Sequence, residues 1–113
     1  MNKTVALAFG LLLFSCTKKQ EQPTLDSLSP AQIIERGKAI YNLNCIACHN
    51  ADPGKEGATA PSILNSSKEL LEARILKASY PLDYKPKRDT KLMPAFPHLE
   101  KEIPAITAFL NQR

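Results

Sequence analysis

The chemistry of this chain is concentrated in Cys45-Ile46-Ala47-Cys48-His49. Two thiols three residues apart, with a histidine directly behind the second, form the signature of covalent c-type haem attachment. Wound into one helical turn, positions 45, 48 and 49 share a face, so both sulfurs can reach the two haem vinyl groups while the imidazole meets the iron. Other uses of a Cys-x-x-Cys pair account for less of the chain. A structural zinc site needs four ligands, and beyond Cys16 only His98 is left to complete one. A thioredoxin-like redox pair belongs beside a βαβ pattern, and no strong strand run is present. A disulfide between Cys45 and Cys48 would leave His49 without a role.

A helix has to carry this motif into position. Ser29 reads as its N-cap and Pro30 as its first residue: a serine hydroxyl accepts a free N–H of the first turn, and the N–H that proline lacks is not needed there. From Ala31 to Asn44, Ile33, Ile34, Gly37, Ile40 and Tyr41 recur at helical spacing, with Glu35, Arg36 and Lys38 elsewhere. Gly37 costs about 1 kcal/mol of helix propensity relative to alanine, so another element is expected to approach its backbone closely. Gly37, Tyr41 and Cys45 then follow one another at single-turn steps.

Beyond His49 the residues from Asn50 to Gly57 have turn chemistry. Ser66 or Ser67 can cap a second helix from Lys68 to Ser79, with Leu70, Leu71, Ile75 and Leu76 facing inward and Tyr80-Pro81 ending it. Leu82 to Lys91, with Lys85, Lys87, Arg88 and Lys91, reads as an exposed stretch. A last helix is expected from about Glu102 to Gln112, with Ile103, Ile106, Phe109 and Leu110 apolar, and Pro104 is tolerable only in its first turn. The pattern predicts an all-α domain.

The N-terminus sets the compartment. Val5 to Phe14 is an apolar run behind Lys3, too short to span a bilayer and typical of a signal peptide, so residues 1–15 read as an export leader. Leu13-Phe14-Ser15-Cys16 resembles a bacterial lipobox, apart from Phe14, which replaces the usual small or aliphatic residue. That resemblance implies that Cys16 becomes the lipidated N-terminus, with residues 16–27 as a polar, flexible tether and residues 28–113 as the folded domain. Ordinary cleavage further on would instead discard Cys16 with the leader. With Cys16 on lipid, and Cys45 and Cys48 on haem, no cysteine is left for a disulfide.

Taken together, Gly37, Tyr41 and Cys45 at steps of four, Cys48-His49, then Pro61, Met93 and a closing Ile106-Thr107-Ala108-Phe109-Leu110 resemble a class I (mitochondrial-type fold) monohaem cytochrome c. The resemblance covers about Leu28 to Arg113. It implies a small cytochrome c fold, with three or more helices wrapped around one covalently attached haem c. It also implies a crossing of the first and last helices in which Gly37 and Tyr41 meet Ile106 and Phe109. By the same resemblance, the Pro61 carbonyl accepts the His49 Nδ1 proton, and His49 and Met93 ligate the iron from its two sides. His98 competes with Met93 for the sixth position.

The formal net charge of +4 is modest, loses Lys3 with the leader and is lowered further by two haem propionates. It therefore does not point to nucleic acid, which an exported protein would not meet. The expected function is one-electron transfer between redox partner proteins with acidic docking surfaces, in an extracytoplasmic, periplasm-facing respiratory chain, with a lipid anchor in a bacterial membrane. No small-molecule substrate and no catalytic residue is implied. A haem-bearing subunit of a larger respiratory oxidoreductase is the alternative, and a haem peroxidase or gas-binding protein a further one. A domain this small buries only roughly 60 to 65% of its unfolded surface, and its aromatics are few, so the macrocycle is expected to be the largest apolar body in the core. The haem-free chain is accordingly predicted to be unfolded or molten, which near-ultraviolet circular dichroism of the apoprotein checks: a native-like signal would contradict it.

Overall fold

A computed structural model of the protein describes residues 22–112, and the leader, the lipobox and Cys16 lie outside the described residues. Among the described residues the architecture is helical, with no strand, as the periodicity predicts. No helix among them is long and apolar enough to cross a membrane.

The first helix, α1 (Pro30–Asn44), starts where the sequence places it. Ser29 Oγ accepts from Gln32 N–H, and Gln32 Oε1 accepts from Ser29 N–H at 2.8 Å, a reciprocal capping box with Pro30 just inside it. The second helix, α2 (Lys68–Leu71), is capped by Ser67 and then widens into a π-helical turn over Glu72–Leu76. It stops earlier than the expected Ser79. Ala78 turns into the left-handed region at φ 50°, where its N–H donates to Arg74 O and that of Ser79 to Ala73 O. These bonds close the helix end in the way a glycine usually does. Leu71 and Ile75 are buried, while Leu70 and Leu76 are half-buried.

A 3-10 turn over Pro97–Glu102 leads into the last helix, α3 (Ile103–Leu110). Pro104 falls in the first turn of α3, where its missing N–H costs no hydrogen bond. Tyr41, Leu71, Ile75, Leu99, Ile103, Ile106, Phe109 and Leu110 form one buried core, drawn from all three helices and the turn before α3. Tyr41 is fully buried, its ring 5.3 Å from that of Phe109, and its hydroxyl donates to Asn50 O at 2.6 Å. That bond ties α1 to the chain just past the Cys-x-x-Cys-His motif.

The approach expected at Gly37 is a backbone contact. A Cβ there would lie 2.0 Å from Ala105 O and 2.9 Å from Phe109 Cβ, so α1 and α3 touch where only glycine fits. The partners are thus Ala105 and Phe109 for Gly37 and Phe109 for Tyr41, with Ile106 in the same core. Beside this crossing, Arg36 makes a two-pronged ion pair with Glu102, through Nε at 2.8 Å and Nη2 at 2.5 Å, and the carboxylate raises the guanidinium pKa further. Its Nη1 donates to Pro23 O at 2.7 Å. The polar stretch before α1 is therefore laid on the domain from Pro23, with a short 3-10 turn at Leu25–Ser27.

In an exposed helix Gly→Ala gains about 1 kcal/mol. Gly37→Ala is predicted to do the opposite: forcing a methyl against the Ala105 carbonyl should outweigh that gain and leave a net loss of about 2 kcal/mol. Thermal or urea unfolding of the holoprotein checks the sign.

Candidate functional site

The end of α1 delivers the motif. Cys45 N–H donates to Tyr41 O at 2.8 Å, and His49 N–H to Cys45 O at 2.9 Å, so the turn continues through the thiols and presents them with the imidazole. Cys45 and Cys48 are not joined in a disulfide, which leaves both sulfurs to a haem. Burial, and then the neighbouring Cys48, push the Cys45 thiol up to about 11, so it stays protonated at neutral pH.

His49 Nδ1 lies 2.9 Å from Pro61 O. A carbonyl only accepts, so the proton sits on Nδ1 and Nε2 is left with a free lone pair. Burial lowers the His49 pKa, only partly offset by the Pro61 bond, and keeps the ring neutral at pH 7. The loop from Asn50 to Ser62 has to fold tightly under the motif for this bond to form. Gly57 permits it: a Cβ there would meet Cys48 O at 2.2 Å and His49 Cα at 2.6 Å. Gly57 N–H donates to Ala60 O, which closes the turn just before Pro61.

Cys45, Cys48, His49, Pro61 and Met93 all line one cavity of about 270 Å³. Its floor is the apolar core, with Tyr41, Leu71, Ile75, Leu99, Ile106 and Leu110. Arg74, Tyr80, Tyr84, Lys87 and Arg88 line its more exposed part. There the Arg74 guanidinium lies 4.3 Å above the Tyr80 ring, which stacks on Tyr84 at 5.4 Å and 9°. Met93 is half-buried in the wall, whereas His98 is exposed, packs edge-on against Phe96 and is not among the lining residues. Among the described residues no group of three or more His, Cys, Asp and Glu side chains lies close enough to hold a metal ion.

These residues fit a haem. Two free thiols and a neutral imidazole with an open lone pair stand at one apolar slot, and the cations at its exposed part suit the two acidic groups the macrocycle carries. Spacing exposes Cys45, Cys48 and His49 directly. It does not reveal Arg74 as a wall residue, because the wider turn at Glu72–Leu76 shifts which side chains face the cavity. Nor does it single out Gly57, which sits in a run where glycine is ordinary turn chemistry.

Fold and cavity together define a small all-α protein built around a c-type haem. Residues 34–113 match the family model of Cytochrome c, and the chain belongs to that family. Membership implies a covalently bound haem c with its iron, electron transfer through it, and redox proteins as partners. No curated protein and no solved structure matches the chain.

Proposed function

We propose that the protein is a class I cytochrome c that carries single electrons between respiratory redox proteins outside the cytoplasm, tethered to a bacterial membrane by lipid on Cys16, without transforming a substrate. The observation that supports the carrier reading most is that Met93 shares one cavity with Cys45, Cys48 and His49 while His98 stands outside it.

Bound haem supplies the one-electron couple of its iron. Cys45 and Cys48 would hold the macrocycle by thioether bonds. His49 would ligate the iron through Nε2, its tautomer and ring plane fixed by Pro61, and such an outer partner also strengthens the imidazole as a donor. Met93 would offer the iron its thioether on the other side, a donor that favours the ferrous state and raises the potential. The walls from Tyr41, Ile75 and Ile106 exclude water, which disfavours the extra charge of the ferric state. Lys87 at the cavity, with Lys85 and Lys91 nearby in sequence, would draw in acidic partner surfaces and speed encounter more than they tighten it.

The ferric holoprotein is expected to show the weak far-red absorption band of methionine sulfur on haem iron. Met93→Ala should abolish the band, and the potential should fall by about a tenth of a volt or more, a fraction of the roughly 0.8 V over which axial ligands tune haem iron. A retained band, or an unchanged potential, would move the sixth ligand to another residue. For the anchor, the mature protein should partition into the detergent phase and the Cys16→Ser variant should not; wild-type protein in the aqueous phase would refute lipidation.

A further inference from the structure

The chain between Tyr84 and Phe96 makes no backbone–backbone hydrogen bond among the described residues, although it carries Met93. On one side of Met93 it is pinned where Phe96 N–H donates to Ile75 O at 2.5 Å. On the other side the one aliphatic residue between Tyr84 and Met93 is Leu92, which lines the rim of the cavity and is 74% exposed. Two cations hold it there instead. Lys87 Nζ donates to Ser62 O at 2.7 Å and contacts Ser62 Oγ at 3.3 Å, and Arg88 pairs with the Glu56 carboxylate.

Glu56 has a second bond. Its other oxygen accepts from Ser62 N–H at 3.2 Å, and Ser62 directly follows Pro61, the residue bonded to His49. The Ser62 bond first, and Arg88 next, hold the Glu56 carboxyl below the usual carboxylate range, so the staple is charged at neutral pH. One carboxylate thus joins the loop supporting His49 to the loop bearing Met93.

We propose that Glu56 and Arg88 are positioning residues that latch the Met93 loop shut, so that their ion pair sets how firmly the thioether is held at the iron. The proposal rests on Met93 being the sixth ligand. Both side chains reach solvent, so the latch is individually weak and screened by salt. A weak latch suits a loop with no backbone ties: modest changes in the pair translate into measurable changes in how often the sixth position opens.

The test uses the full-length holoprotein, with imidazole as the probe of an open sixth position and the far-red sulfur band as the reporter. Glu56→Gln keeps an oxygen for Ser62 N–H but removes the charge, and Arg88→Glu sets two carboxylates against each other. Each is expected to raise the imidazole affinity of the ferric protein about 3-fold, the scale of one exposed pair, and to lower the potential. The conservative variant Arg88→Lys keeps a cation facing Glu56, and Glu56 keeps its bond to Ser62 N–H, so it should retain more of the discrimination against imidazole than Arg88→Glu. Wild-type affinity should rise with ionic strength, and that of Glu56→Gln should rise less. Glu56→Gln and Arg88→Glu that match wild type, or Arg88→Lys no better than Arg88→Glu, would overturn the latch while leaving Met93 in place. A wild-type protein with no sulfur band would overturn the Met93 assignment, and the latch with it.

Discussion

Where α1 and α3 cross, the Gly37 backbone rests against the Ala105 carbonyl, and most of the molecule is arranged around that contact. Any side chain at position 37 would hold the helices apart by the width of a methyl group. Tyr41, one turn on, could then no longer stack on Phe109 while its hydroxyl holds Asn50. The Tyr41 bond is what brings the chain after His49 back under α1. A close approach made outside the cavity therefore determines where Cys45, Cys48 and His49 stand, and Arg36 and Glu102 brace the same crossing from its edge.

The two faces of the site are supported differently. On the His49 side the support is backbone: the Gly57 turn packs directly against Cys48 and His49, and Pro61 meets the imidazole through its carbonyl. Such contacts have few ways to relax. On the Met93 side the support comes from long side chains that cross solvent-exposed ground to reach Ser62 and Glu56. Backbone contacts are concentrated beside Cys48 and His49, whereas the loop that carries Met93 is held by side chains.

Much of this was legible in the sequence, for identifiable reasons. Ser29-Pro30 marks the start of α1 because capping is a local matter, and Pro104 marks the start of α3 because proline has few places to sit in a helix. Cys45, Cys48 and His49 announce haem because their chemistry demands that spacing. The end of α2 was not legible: Leu70, Leu71, Ile75 and Leu76 suit an ordinary helix to Ser79 equally well, and nothing local signals that Ala78 adopts a backbone geometry normally left to glycine. The staple between Glu56 and Arg88 was hidden for another reason. It joins two loops rich in charge and distant in sequence, and such residues look alike until the fold brings one particular pair together.

The Arg36 bond to Pro23 O also has a geometric consequence. With Cys16 lipidated as proposed, only the seven steps of chain from Cys16 to Pro23 separate the bilayer from the domain, at most about 25 Å when fully extended. That is comparable with the thickness of a small domain. The protein would patrol a layer scarcely deeper than itself, meeting membrane-embedded partners by lateral diffusion at a high effective concentration, and distant soluble ones only when they come to the surface.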